Sequence, residues 1–183
     1  MLPGGEGDIQ QLVVPEDAIQ ARIRELGQAI SEDYAGKNPL MVGVLKGVVF
    51  FLVDLLHSIS IPVEIDFMAV SSYTAETRSR GMVRLVKDLE IPIENRHVLF
   101  VEDVVDTGLT LNYLLNNLRM RHPASLEVCA LLNKPAHRLI DLPIRYKGFD
   151  ISEHFVVGYG LDYRERYRNL PYVAVLKPEA MRK

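Results

Sequence analysis

The sequence predicts an α/β domain: a central, mostly parallel, twisted sheet flanked by helices. Three observations lead there. Strand-length apolar runs alternate with helical periodicities through the middle of the chain, which implies right-handed crossovers between parallel strands. The runs from Leu40 to Leu45, Val98 to Val101 and Leu126 to Leu132 are apolar throughout, as buried strands are. And 183 residues suit a single domain that buries roughly two-thirds of its unfolded surface.

Pro15 opens a segment in which Ile19, Ile23, Leu26 and Ile30 recur at helical spacing, with Gly36 beyond its end. Leu40 to Leu45 reads as a strand, Lys46-Gly47 as a tight turn, and Val48 to Ile59 as a helix apolar around most of its circumference, suited to a core or a subunit contact. From Val63 to Phe67 apolar and acidic residues alternate, as in a strand with one solvated face or near a sheet edge. Ser71 to Asp88 turns polar before a partly alternating MVRLV and reads as a long hairpin or mobile loop, a length commonly reserved for lids and binding loops. Val98 to Val101 is a strand, and Leu111, Leu114, Leu115 and Leu118 mark the next helix. After the strand at Leu126 to Leu132, short strands are expected at Ile144 to Tyr146, Phe155 to Val157 and Tyr172 to Leu176.

With 48% hydrophobic and 25% charged residues, neither disorder nor a fibre competes. A net charge of -3 argues against a nucleic-acid-coating surface. Cys129 is the sole cysteine, so no internal disulfide is possible, and within Leu126 to Leu132 it reads as core rather than as a catalytic thiol. The N-terminal MLPGGEGD lacks the pattern of a secretory signal. Val48 to Ile59 is too short for a membrane span and carries Asp54 and His57. A cytoplasmic protein, without nucleic-acid or membrane partners, is expected. His57, His97, His122 and His137 show no metal-ligand spacing, and none is given a role.

The chemistry concentrates in Val98 to Leu111, VLFVEDVVDTGLTL. Glu102 and Asp103 follow the apolar strand, and Asp106-Thr107-Gly108-Leu109-Thr110 stands where the next helix begins. Free N–H groups at a helix start, with the Thr107 and Thr110 hydroxyls, can surround a phosphate monoester, and Gly108 permits close backbone approach. Glu102 and Asp103 suit vicinal sugar hydroxyls and Mg2+ held through those hydroxyls or water. The plainer reading is a solvated turn with Asp106 or Thr107 as N-cap. Three carboxylates, a glycine and two threonines at one junction favour the functional one. A dinucleotide fold would show GxGxxG, which is absent.

On this segment the chain resembles the phosphoribosyltransferase family, and within it the hypoxanthine-guanine type. The resemblance extends from about Ile19 to Leu176. It implies a type I fold with a small hood, here about residues 144–176 of a single domain spanning 1–183, and a flexible active-site loop at about 71–88. It implies further that Asp106 to Thr110 grip the 5′-phosphate of phosphoribosyl pyrophosphate, that Glu102 and Asp103 face its ribose, and that Asp106 is the general base near purine N7. Leu45-Lys46-Gly47 resembles the pyrophosphate loop, which often holds a non-proline cis peptide. Ser72-Tyr73 resembles the start of the closing loop, although Thr74 and Ser79-Arg80-Gly81 depart from the usual pattern. Lys134 in LNKP resembles the lysine that contacts a purine 6-oxo group. In His154 to Tyr163, Phe155 would stack on the base, Val156 would read its edge through the main chain, and Asp162 would hold a second Mg2+. Arg168 resembles an arginine that holds pyrophosphate. The metal set implied is Glu102, Asp103 and Asp162.

The implied function is purine salvage with Mg2+: a 6-oxopurine base displaces pyrophosphate from phosphoribosyl pyrophosphate, in a homo-oligomer, dimer or tetramer. The alternatives are a xanthine- or pyrimidine-preferring enzyme of the group, or a nucleic-acid-binding regulator that senses phosphoribosyl pyrophosphate.

Overall fold

The computed structural model describes residues 6–72 and 83–182. Strands and helices follow in the order β1 (Ile9–Val14), α1 (Glu16–Asp33), β2 (Leu40–Leu45), α2 (Val49–His57), β3 (Glu64–Ser72), β4 (Val83–Lys87), β5 (His97–Val105), α3 (Leu109–Arg119), β6 (Ser125–Asn133), β7 (Tyr146–Asp150), β8 (Val156–Val157) and β9 (Val173–Leu176). Six strands form the main sheet in the order β4-β3-β2-β5-β6-β7, parallel except for β4, which pairs antiparallel with β3. β1, β9 and β8 form a smaller antiparallel sheet. This is the α/β architecture that the alternation of runs predicts.

The central strands are buried on both faces. Along β5, Leu99 and Val101 join one core with Ile19, Ile23 and Ile30 of α1 and Phe51, Leu52 and Leu55 of α2. Val98 and Phe100 join the opposite core, with Leu111, Leu114, Leu115 and Leu118 of α3. Cys129 is fully buried in the first, and burial pushes its thiol up. The apolar circumference of α2 divides, for Phe50 and Val53 remain exposed.

Several boundaries move. β5 runs on through Glu102 and Asp103 to Val105, because β6 pairs with it as far as Val105↔Asn133; the acidic pair is on a strand, not in a turn. β7 begins where the expected Ile144 to Tyr146 ends. Part of the expected loop at 71–88 is strand: β4 pairs with β3 through Ser72↔Val83, and residues 73–82 lie outside the described residues. β3 is not a strand with its acidic face in water. Asp66 is buried while Ile65 is 45% exposed, since Asp66 accepts hydrogen bonds from the N–H groups of Phe67, Glu90 and Ile91. The chain order reverses at β2, whose neighbours are β3 on one side and β5 on the other. Beyond the carboxyl ends of such a pair a crevice opens, and ligands bind there. Among the described residues no helix is long and apolar enough to cross a membrane.

Candidate active site

Two adjoining cavities open over the carboxyl ends of β2 and β5. The first, about 320 Å³, is walled by Lys46 and Gly47 after β2, by Glu102 and Asp103 within β5, by Asp106, Thr107 and Gly108 after it, and by Thr110 of α3. The second, about 440 Å³, shares Lys46, Gly47, Asp103 and Asp106 and adds Lys134, Phe155, Val156, Asp162, Glu165 and Arg168. The residues singled out in sequence thus converge, with few exceptions. Leu109 lines neither cavity and contributes the first residue of α3. Ser72 ends β3, and Tyr73 lies outside the described residues.

Backbone conformation shapes the first cavity. Gly108 takes φ 83°, the left-handed region, and caps α3 without a side-chain hydrogen bond. As at any helix start, the opening N–H groups of α3 lack intrahelical acceptors; among the described residues Leu109 N–H makes only a long 3.4 Å contact with Thr107 Oγ1. The Leu45–Lys46 peptide is cis. A Cβ on Gly47 would overlap the Asp103 carboxylate, so this position admits only glycine without displacement of that side chain.

Glu102 and Asp103 are half-buried at the floor. Loss of hydration pushes both carboxyls up, Glu102 well above its ordinary range with repulsion from Asp103 added, and Asp103 to about 6 against the pull of the Val104 N–H. A carboxyl pair uneasy about its charge, built of hard oxygens, fits a divalent cation or sugar hydroxyls. Among the described residues no three His, Cys, Asp or Glu side chains converge as a closed metal cage. Asp162 stands instead with Arg168, Oδ1 to Nη2 2.8 Å, and its Oδ2 accepts the Glu165 N–H.

The second cavity holds an electrostatic network. Arg168 donates through Nη1 to the Gly160 carbonyl at 2.7 Å, and its buried Nε has no partner among the described residues. Glu165 Oε2 lies 3.1 Å from Lys46 Nζ and 3.3 Å from Arg168 Nη2, and these cations hold the Glu165 carboxyl below its ordinary range. Asp106 is bracketed by Lys134 Nζ at 3.5 Å from Oδ2 and His137 Nδ1 at 2.8 Å from Oδ1. Lys134 is only 6% exposed, while Phe155 is 49% exposed and meets Tyr163 edge to face at 5.9 Å. A half-exposed aromatic ring, an enclosed lysine and a carboxylate thus line one cavity, which shares Asp106 with the cavity at the start of α3.

Sequence reasoning missed Glu165 and His137. Glu165 stands among charges that read as solvated surface. His137 had a signal: Pro135 opens a short 3-10 turn, so Lys134 and His137, three positions apart, share one face.

Residues 14–164 match the family model for the phosphoribosyl transferase domain. The chain is 52% identical to the hypoxanthine-guanine phosphoribosyltransferase of Mycobacterium avium over 178 residues, covering 94% of this chain and 88% of that relative. It is 49% identical over 172 residues to the bifunctional protein TilS/HprT of Listeria monocytogenes, with 94% of this chain aligned; it spans only 26% of that relative's length. The crystal structure of a hypoxanthine phosphoribosyltransferase from Staphylococcus aureus superposes with TM-score 0.93 at 46% identity, covering 98% of this chain and 97% of that one.

Proposed function

The chain belongs to the phosphoribosyl transferase family, and on that premise we propose that it is a purine-salvage enzyme, a hypoxanthine-guanine phosphoribosyltransferase that turns phosphoribosyl pyrophosphate and hypoxanthine or guanine into IMP or GMP and pyrophosphate. The observation that carries this reading is the continuity of the two cavities: the acidic helix-start turn opens directly onto Lys134 and Phe155.

The N–H groups opening α3, with Thr107 and Thr110, take the 5′-phosphate. Glu102 and Asp103 accept from the ribose hydroxyls. Lys46, the Gly47 main chain and Arg168 hold pyrophosphate, the guanidinium fork matching its oxygens. Lys134 donates to the 6-oxo group, Phe155 stacks on the ring, and the main chain of Val156 reads the purine edge. The purine N9 lone pair forms the bond to C1′ as the C1′–oxygen bond breaks, and its electrons leave on pyrophosphate. The N7 proton passes to Asp106. Mg2+, when bound, neutralises phosphate charge and steadies the leaving pyrophosphate; Glu102, Asp103 and Asp162 have the oxygen chemistry to hold it. The enzyme works in the cytoplasm as a homo-oligomer, a role for the exposed Phe50 and Val53 of α2.

The test is direct. The protein is incubated with phosphoribosyl pyrophosphate, Mg2+ and each of hypoxanthine, guanine, xanthine and adenine separately, and nucleotide and pyrophosphate are measured. Hypoxanthine and guanine turn over and adenine does not. Turnover restricted to xanthine, or RNA retention on a filter without consumption of any base, would overturn the assignment.

A further inference from the structure

We propose that His137, which is outside the substrate-contacting set, is a positioning residue that holds Asp106 in place during transfer. This rests on the reading of Asp106 as the proton acceptor.

A carboxylate only accepts hydrogen bonds, so the 2.8 Å contact between His137 Nδ1 and Asp106 Oδ1 requires Nδ1 to carry the hydrogen. On the other side of the ring, Nε2 lies 3.6 Å from Glu153 Oε2, which biases the imidazole plane from its far edge. The backbone beneath is equally fixed. Lys134 N–H donates to the Val105 carbonyl, His137 N–H to the Lys134 carbonyl, and Leu139 N–H to the Thr107 carbonyl at 3.0 Å. The turn that carries Lys134 and His137 is therefore tied at both ends to the segment that carries Asp106.

The two oxygens of Asp106 have partners of different kinds. Oδ2 faces Lys134 Nζ at a long 3.5 Å, a contact that Lys134 gives up when it turns to a purine 6-oxo group. Oδ1 faces His137, which has no competing assignment in the cavity and lines neither cavity. When the base recruits Lys134, His137 becomes the remaining side-chain donor to Asp106 among the described residues. The Asp106 side chain is 46% exposed, so lone pairs outside the clamp remain open to a purine N7. A carboxylate left to rotate would spend most of its time misaligned, and small misplacements of a reacting group cost up to about 10²-fold in rate.

The experiment is a single-turnover measurement with phosphoribosyl pyrophosphate, Mg2+ and hypoxanthine, which reads the chemical step apart from product release. His137→Ala lowers that rate about tenfold, with the KM of both substrates changed less than about twofold. His137→Asn, whose amide nitrogen falls near the position of Nδ1, restores it to within about threefold of the native rate. In an Asp106→Asn background the His137→Ala change adds nothing, because the two act as one unit. An unchanged rate in His137→Ala, no rescue by His137→Asn, or a full additional tenfold loss in the Asp106→Asn background overturns the proposal. Near-native turnover in Asp106→Asn alone overturns instead the proton-acceptor reading on which it rests.

Discussion

Glu165 crosses the mouth of the cavity to Lys46, 119 positions away in sequence, and the oxygen that meets Lys46 Nζ at 3.1 Å also meets Arg168 Nη2 at 3.3 Å. One carboxylate oxygen thus sits between the two cations proposed to bind pyrophosphate. Glu165 takes φ 62°, a conformation that side chains rarely adopt, next to Arg164 at φ 52°. A negative group in that place competes with pyrophosphate. Glu165→Gln is expected to strengthen product inhibition by pyrophosphate by about threefold at low salt, a modest figure because the pair with Lys46 is exposed. Inhibition constants at two ionic strengths check this, and the difference shrinks as salt rises. Weaker inhibition in the variant would mean that Glu165 orients the cations instead of masking them.

Lys134 lines the cavity and is almost wholly enclosed, 6% exposed. A donor so placed discriminates by what it leaves unpaired: a 6-oxo group accepts its hydrogen, and a 6-amino group does not. Lys134→Met keeps the volume and removes the donor. The expected result is a fall in kcat/KM for hypoxanthine of about 10- to 100-fold, the worth of one hydrogen bond to a charged group. Initial rates across the purines should show that loss for each 6-oxopurine, with adenine still not turned over.

Asp66, 7% exposed on β3, organises the segment after β4. Burial by itself raises its pKa, but the N–H groups of Ile91, Phe67 and Glu90, at 2.9, 2.7 and 2.7 Å, and the Lys87 charge outweigh that and hold it below 3.8. Asp66→Ala strands those donors and should cost about 3 kcal/mol, seen as a Tm lower by roughly 6 to 12 °C. A lowered folded-state pKa means that the charged form favours folding. That stability is complete above the unfolded carboxylate pKa and is lost as pH falls through the folded one, below about 4. Denaturant titrations of native protein and Asp66→Asn should therefore differ at pH 7 and converge toward pH 3.

What the sequence made legible follows from where each element gets its stability. β2 was readable to the residue, Leu40 to Leu45, because a strand covered on both faces must be apolar throughout. β1 went unread: Ile9–Val14 is largely exposed and exists because β9, at the far end of the chain, supplies its hydrogen bonds. β7, YKGFD, carries lysine and glycine and is a strand because β6 pairs with it. That Lys46-Gly47 and the turn at Asp106, Thr107 and Gly108 would line one cavity was legible because both follow apolar strands of a parallel sheet, whose carboxyl ends lie at one edge. Glu165 was not, since its contact with Lys46, 119 positions away, exists only once the fold has brought the two together.

Gly47 offers the sharpest separation of folding from function. Its backbone is not among the left-handed glycines, whereas Gly108 sits at φ 83°. Alanine at position 47 is therefore conformationally tolerated, and the difficulty is only that its Cβ would occupy the space of the Asp103 carboxylate. Asp103 must rotate out of the floor of the first cavity, away from the proposed ribose contact. Gly47→Ala should leave the Tm within about 2 °C of native, the scale of a surface change of half a kcal/mol. It should also lower kcat/KM for phosphoribosyl pyrophosphate by about 10²-fold. Gly108→Ala should do both kinds of damage, because an alanine forced left-handed costs about 1 to 2 kcal/mol and loosens the start of α3. Thermal melts and steady-state kinetics on the two variants distinguish these outcomes. A Gly47→Ala protein with full activity would mean that Asp103 can move without consequence, and the ribose-binding role assigned to it would fall.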